Sequence, residues 1–546
     1  MTRRLDRGGG ALALLLILAA CGSPPAAPAP AITPQRALDI RYRVAIPEPS
    51  SHYLQVELGI AGLSVDSIDL QMPVWSPGRY ARMDFARNVQ RFEATASGGR
   101  AIPVVRRSGS LWRLTTRGDS VIAIRYRVFA NNLSGTFTVA DADHVNWNGG
   151  SIFMYVVGHK SDPVRLAVVP PEGWQVLNGA STDLEQRDFA FPNYDILIDT
   201  PTEIAPRIAV DSFTVDGRVY RLMIHLAGGD AGQRTRFDRD VEKLVRYENT
   251  IVGPPPIERY TFLFHIGFPG GDGMEHLAST QIINHLAWSD TAVILPGIGT
   301  AAHEYVHVWN VKRIRPAALG PFDYTTEQYE PSLWVAEGWT QYYGEIALVR
   351  TGIEDRAAYY RALESLIAYN STLPARRWVS ARDASFLAPF WDGAASPMRT
   401  DIDESFISYY PKGAALALLL DLEIRARSNG ARSLDNALRN LKKRSWDAPS
   451  ASYYLQGHGY TEQDVEAAVS EAAGVDLHPW FDKYVGGTEE LPFADALALV
   501  GLRLTVHGTG ADRTFSVEEA ADATPAQKRL RDSWLAGTTS AGDNAR

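Results

Sequence analysis

The most informative stretch of this chain is His303-Glu304-Tyr305-Val306-His307, because its spacing indicates both a helix and a set of candidate catalytic groups. On an α-helix, residues four apart lie on the same face, so both imidazoles can reach one metal ion while Glu304 faces a water beside it. This spacing is typical of catalytic zinc sites. The alternative, from these residues alone, is a helix with two surface histidines.

A third ligand is needed, because a catalytic zinc ion normally has three protein ligands and one open position. Glu337 stands within Leu333-Trp334-Val335-Ala336-Glu337-Gly338-Trp339, which follows Pro331-Ser332, a pair that can begin a helix. An acidic residue in so apolar a helix is costly unless it is paired or bound to a metal. The sequence therefore predicts one zinc ion held by His303, His307 and Glu337, and the alternative is a glutamate on a solvated helix face.

The predicted chemistry is hydrolysis by an activated water. Zinc lowers the pKa of a water towards ~7, and Glu304 is placed to take its proton and pass it to a leaving amine. The resulting oxyanion needs a donor besides the metal. Tyr409 and Tyr410 are candidate donors, with core packing as the alternative role for both.

The fold class predicted is multidomain α+β, since 546 residues exceed one hydrophobic core. Strand patterns dominate residues 38–205 and predict a β-sandwich domain. Mainly helical patterns follow in a catalytic domain at 206–490, and 491–546 form a short C-terminal segment. The clearest strands and helices are Ile40–Ile46, Val121–Val128, Arg165–Val169, Arg236–Thr250, Gly413–Ile424 and a helix capped by Thr461 that runs to about Ala473.

The N-terminus has the pattern of a bacterial export signal at residues 1–20, with arginines before an apolar run. Leu18-Ala19-Ala20-Cys21 predicts cleavage before Cys21, the only cysteine in the chain, and acylation of its thiol. A plain signal peptide is the alternative. Residues 21–37 then form a flexible tether, and the protein is expected in the cell envelope, facing the periplasm and lipid-anchored to the membrane. A net charge of −9 gives no reason to expect nucleic acid as a partner.

Several stretches together resemble the glycyl aminopeptidase family of zinc metallopeptidases, a branch of the thermolysin-like gluzincins. The resemblance lies in His303–Pro316, Trp334–Thr340, Tyr194–Pro201 and the Pro73–Tyr80 loop, and covers about residues 38–495. It implies an N-terminal β-sandwich and a thermolysin-like catalytic domain, usually followed by a PDZ domain. After Leu491-Pro492 the PDZ core is missing, which removes the basis for docking peptide C-termini there.

The same resemblance implies two further roles. Gly273-Met274-Glu275-His276 is similar to the exopeptidase motif of the related aminopeptidase N group, so Glu275, after Gly273, would bind the substrate's α-ammonium. On the residues alone, Glu275 is only a loop acid. The Tyr-x-Lys-Gly pattern of that group matches Tyr410-Pro411-Lys412-Gly413 and favours Tyr410 as the oxyanion donor.

The function expected is removal of N-terminal Gly or Ala from peptides with a free N-terminus. Two alternatives stay open: an envelope endopeptidase, which would also cleave blocked peptides, and a non-catalytic binding protein on a peptidase fold. Against the second, a scaffold has no physical need for His303, Glu304, His307, Glu337 and Tyr410 together.

Overall fold

The computed structural model describes residues 37–227, 234–289, 291–392, 402–450 and 455–538. The predicted signal, Cys21 and most of the tether lie outside these residues. Among the helices in the described ranges, none has both the length and the apolar character that crossing a bilayer requires.

The first part of the chain is built of strands, as the alternating patterns predict. Fourteen strands and one short α-helix lie between residues 39 and 205: β1 (Asp39–Ala45), β2 (Tyr53–Ala61), β3 (Ser67–Gln71), β4 (Val89–Ala96), β5 (Val104–Arg106), β6 (Leu111–Thr115), β7 (Val121–Phe129), β8 (Thr138–Ala140), β9 (Val145–Trp147), β10 (Tyr155–Val156), β11 (Val164–Val169), β12 (Gln175–Asn178), β13 (Asp188–Phe191), α1 (Tyr194–Ile198) and β14 (Thr202–Ala205).

Two sheets of this region form the predicted sandwich. One has the order β13-β11-β1-β2-β7-β4 and the other β10-β3-β6-β5. Alternate residues of β1 and β7 are buried, as expected for strands with one face on a core. Phe92 of β4 stacks on Trp112 of β6, with ring centroids 5.4 Å apart, and so joins the two sheets. A third sheet, β12-β14-β9-β8, follows.

A five-stranded sheet opens the second part of the chain. Its order is β15-β16-β17-β19-β18, and the strands are β15 (Val210–Val215), β16 (Arg218–Leu226), β17 (Arg259–Ile266), β18 (Gly271–Glu275) and β19 (Ser279–Asn284). The edge strand β18 carries Gly273 and Glu275 and pairs antiparallel with β19. The helix α2 (Thr235–Val252) confirms the one predicted at Arg236–Thr250.

Helices make up most of the remainder: α3 (Ile298–Val306), α4 (Leu333–Ala336), α5 (Gly338–Arg350), α6 (Arg356–Thr372), α7 (Ala381–Phe386), α8 (Ala388–Trp391), α9 (Ile402–Ser405), α10 (Tyr409–Arg427), α11 (Leu434–Arg444), α12 (Glu462–Ala473) and α13 (His478–Tyr484). The buried helix predicted at Gly413–Ile424 is α10. The predicted cap of α12 is present, since Thr461 and Asp464 form a capping box.

Two glycines bring α5 and α10 into close contact. A Cβ atom on Gly338 would clash with the backbone of Gly413, and one on Gly413 would clash with the carbonyl oxygen of Trp334. Only residues without a side chain allow the helices to approach this closely. The contact places Glu337, just before α5, beside the start of α10, where Tyr410 lies.

The C-terminal segment packs onto the preceding helices. It contains α14 (Phe493–Leu499), a hairpin of β20 (Leu502–His507) and β21 (Thr514–Glu519), and α15 (Pro525–Ala536). Trp534 of α15 is fully buried, and its indole N–H donates to the hydroxyl of Tyr342 on α5 at 2.9 Å. Residues 525–536 thus add to the core around α5.

Candidate metal centre

Three predicted ligands meet at the end of α3. Nε2 of His303 lies 3.0 Å from Nε2 of His307. Oε2 of Glu337 lies 3.4 Å from the first and 3.3 Å from the second. Ligands at about 2.0–2.1 Å from a tetrahedral zinc ion are roughly 3.3 Å from one another, so the spacing matches one face of such a site. Glu337, 2% exposed, is not on a solvated face.

The donor atoms suit a cation. Nδ1 of His307 lies 2.6 Å from the carbonyl oxygen of Asn310, to which it can donate, and this leaves the Nε2 lone pair directed at the cluster. Oε2 of Glu337 is buried with no hydrogen-bond partner. Burial alone would lower the pKa of His307, but the carboxylates of Glu337 and Glu275 outweigh it and raise that pKa to about 10. The cluster therefore attracts positive charge strongly.

Glu304 lies beside this centre, on the next residue of α3. It is 5% exposed, and its Oε2 has no hydrogen-bond partner. Its other oxygen packs against β18, where a Cβ atom on Gly273 would clash with it. Burial raises the pKa of the Glu304 carboxyl well above its usual value. Gly273 thus provides the space in which Glu304 sits.

Glu275, at the end of β18, completes an acidic group near the ligands. One ligand atom each from Glu275, Glu304 and His307 lies within 4.8 Å of the others. Glu275 is 4% exposed, and its Oε1 has no hydrogen-bond partner. The loop at Pro73–Tyr80 lies over it, because a Cβ atom on Gly78 would come within 2.7 Å of Oε2. A buried carboxylate oxygen without a donor is a suitable acceptor for an ammonium group.

The carboxylate of Asp199 holds the residues that follow Glu275 in place. Asp199 lies in the Tyr194–Pro201 stretch, and its carboxylate accepts from the backbone N–H of Leu277 at 2.7 Å and from Nζ of Lys312 at 2.8 Å. Nδ1 of His276 is 3.2 Å away. Burial would raise the pKa of Asp199, but Lys312 and His276 lower it to about 2. The carboxylate therefore ties the residues after Glu275 to the segment after His307.

Both candidate tyrosines lie near the centre. The ring of Tyr410 lies over that of His303, with centroids 6.0 Å apart and an interplanar angle of 26°. Tyr409 is more deeply buried than Tyr410. The centroid of its ring lies 5.9 Å from that of the Tyr80 ring. Ser408 caps the N-terminus of α10 and orients its first turn.

Two residues of the Pro73–Tyr80 loop were missed as contributors to the centre. The hydroxyl of Tyr80 donates to Oε1 of Glu337. Arg79 forms an ion pair with Asp272 on β18, one residue before Gly273. The two partners of the first bond are 257 residues apart, so no local spacing pointed to it. The only signal was the resemblance of the loop to the family's N-terminal half.

The β-sandwich, the helical part and the His303, His307 and Glu337 cluster define a metallopeptidase. Two family models match the chain: the Peptidase M61 N-terminal domain over residues 41–206 and the M61 glycyl aminopeptidase over residues 297–416. Together they cover more than half of the sequence. The chain belongs to the M61 glycyl aminopeptidase family.

The chain is also similar to solved structures. An aminopeptidase N family protein from Idiomarina loihiensis is 25% identical, with a TM-score of 0.76 over 86% of this chain and 79% of that one. An M1 zinc metallopeptidase from Deinococcus radiodurans is 16% identical, with a TM-score of 0.49 over 84% of this chain and 96% of that one. No curated protein matches the sequence.

Proposed function

We propose that this metallopeptidase is a zinc-dependent aminopeptidase that removes Gly or Ala from the N-terminus of peptides. The observation that carries the proposal is the convergence of His303, His307 and Glu337, with donor atoms 3.0–3.4 Å apart, next to the buried and unpartnered oxygen of Glu275. Two imidazoles and a carboxylate are a donor set that zinc peptidases use. One such ion per centre satisfies the three donors.

The protein groups around the centre have separable tasks. Zinc, when bound, supplies a Lewis acid that polarises the scissile carbonyl and acidifies water. Glu304 takes the proton of the attacking water and delivers it to the leaving amine. The phenol of Tyr410 donates to the developing oxyanion. Tyr80 holds Glu337 in place by donating to Oε1, the oxygen that does not face the histidines.

Selection of free N-termini comes from Glu275. Its carboxylate is buried close to Glu304 and His307, so an α-ammonium paired with it would bring the first peptide bond to the metal. An N-acetylated peptide carries no charge to pair with it. The arrangement favours an aminopeptidase over an endopeptidase, in which Glu275 would have no task.

The size of the space beside Glu275 supports small first residues. A cavity of about 20 Å³ is lined by Trp75, Pro77, Gly78, Tyr80, Glu275, Val311, Lys312, Leu319 and Phe322. The large side chains around this cavity leave little room beside the Glu275 carboxylate, and we therefore expect the enzyme to prefer a first residue with a hydrogen or a methyl side chain. This agrees with the glycyl specificity in the name of the matching family model.

The test is a panel of glycyl, alanyl, leucyl and phenylalanyl anilides, with N-acetylated counterparts, offered to the full-length protein. We expect turnover of glycyl and alanyl anilides only, loss of activity with a chelator and recovery with zinc. No turnover by the zinc-loaded protein would refute the aminopeptidase. Equal cleavage of acetylated peptides would establish an endopeptidase instead.

For location, we propose an envelope protein that faces the periplasm and is anchored by a lipid on Cys21. The support is the Leu18–Cys21 stretch and the fact that this cysteine has no other thiol to pair with. Metabolic labelling with an alkynyl fatty acid should mark the wild type and not Cys21→Ser. We also propose the domain division at residues 205 and 206, where β14 ends and the five-stranded sheet follows.

A further inference from the structure

A second cluster of metal-ligating side chains lies apart from the His303 centre and shares no residue with it. His144, Glu203, His225 and His265 each offer one ligand atom, and all four atoms lie within 4.8 Å of one another. Three imidazoles around one carboxylate are a rare combination in a protein interior, because buried charged and polar groups are costly unless they are satisfied.

The four residues lie on or beside strands of two different sheets. Glu203 lies on β14, and His144 immediately precedes β9 in the same sheet. His225 and His265 are directly paired neighbours on β16 and β17 of the five-stranded sheet. The cluster therefore joins a sheet of the N-terminal half to the sheet that carries Glu275.

The hydrogen bonds within the cluster leave ring nitrogen atoms that are free to bind a metal ion. Oε1 of Glu203 lies 3.2 Å from Nδ1 of His225, and Oε2 lies 3.2 Å from Nε2 of His265. His144 is 1% exposed, and its Nε2 has no hydrogen-bond partner. Its ring centroid is 4.3 Å from that of His225, so it faces the cluster. A buried imidazole nitrogen without a partner, beside a carboxylate and two further imidazoles, is in a position to bind a cation.

The surroundings resemble the outer shell of a metal site. Nδ2 of Asn146 donates to Oε2 of Glu203 at 3.0 Å, and Gln281 in turn donates to Oδ1 of Asn146 at 2.8 Å. Oδ1 of Asp141 lies 3.5 Å from Nδ1 of His144. Such outer carboxylates and amides orient ligand side chains and keep their lone pairs available. An ion can enter through a cavity of about 500 Å³ that Glu203 and His225 help to line.

We propose that His144, Glu203, His225 and His265 form a second metal site, which binds Zn²⁺ and fastens the two sheets together. Imidazole nitrogens with one carboxylate are ligands that zinc prefers, and four protein ligands make a closed, structural site. Because the ligands converge only in the folded chain, the binding free energy adds to folding stability. The proposal is independent of the peptidase activity.

The test is the metal content of the full-length protein. The wild type, stripped with a chelator and titrated with ZnCl₂, should bind about two tight equivalents, one per cluster. His303→Ala should keep one equivalent, and the double variant His303→Ala/His144→Ala should bind none. In His303→Ala, Co²⁺ should give the visible absorption of a four-coordinate site. A wild type that binds one equivalent, together with a His303→Ala variant that binds none, would overturn the proposal.

Stability gives a second measurement, in case a cluster variant folds poorly. In the His303→Ala background, which leaves this cluster intact, ZnCl₂ should raise the Tm of the chelator-treated protein. A matched control is His159→Ala, because His159 is also buried beside a carboxylate, at 2.7 Å from Asp162, and lies outside the cluster. The His159→Ala variant should still bind both equivalents of zinc. A Tm of the His303→Ala protein that does not respond to zinc would count against a structural site.

Discussion

Replacing Tyr80 by Phe tests whether the N-terminal half helps to hold the metal. The Tyr80 hydroxyl donates to Oε1 of Glu337, and both side chains are buried. The substitution removes one oxygen atom and keeps the ring and its contact with Tyr409. Glu337 would keep its place in the chain but lose the donor that fixes its carboxylate.

The size of the effect follows from that one bond. A hydrogen bond to a charged group contributes about 1.5–3 kcal/mol, and loss of an outer-shell partner typically weakens metal binding ~10–100-fold. At about 1.4 kcal/mol per factor of ten, the two figures agree. We therefore expect Tyr80→Phe to weaken zinc binding at this centre by ~10–100-fold, with kcat/KM falling at limiting zinc.

The assay is competition for zinc with a chromophoric chelator, together with anilide turnover at fixed free zinc. Tyr324→Phe is the matched control, since it removes a hydrogen bond of 2.9 Å to another buried carboxylate, that of Asp195, which is not one of the grouped metal ligands. The control should lose stability and keep its affinity for zinc. A Tyr80→Phe protein that binds zinc within twofold of the wild type would refute the reasoning.

Three further predictions concern the catalytic groups. Gly273→Ala should lower kcat by ~10²-fold with the metal retained, because the added Cβ displaces Glu304; Gly299→Ala on α3, where a Cβ meets nothing within 4 Å, should be nearly neutral. Glu304→Gln should keep zinc, measured by metal analysis, and lose ~10²–10⁴-fold in kcat; a loss below tenfold would remove it as the base. Glu275→Gln should lower kcat/KM for free peptides at least ~10-fold by removing a charge-assisted bond, and an unchanged preference over acetylated peptides would contradict its role.

The parts of the centre that were predictable depend on local pattern. The spacing of His303 and His307 requires only a helix, and α3 provides it. Glu337 was identifiable because it is an acid among large apolar residues, and it is 2% exposed. The cap of α12 was equally local, since Thr461 and Asp464 satisfy each other's backbone N–H groups within one turn. Such features need no knowledge of how distant segments meet.

The remaining parts depend on contacts that no short stretch encodes. Tyr80 reaches Glu337 only because the sandwich packs on the helical part, and the loop around it has the composition of an ordinary turn. His144 and His265 are 121 positions apart in the sequence and meet through the pairing of separate strands. Neither has another member of the cluster at a helical or zinc-finger spacing.

The bond between Tyr80 and Glu337 has a consequence for the newly made chain. The three proposed metal ligands all belong to the C-terminal half of the chain. The hydroxyl that holds one of them, Glu337, belongs to Tyr80 in the N-terminal half. A chain whose first half has not yet folded would carry the complete signature and still load zinc poorly. Hydrolytic activity would then appear only after both halves have folded, a form of latency that spares neighbouring polypeptides.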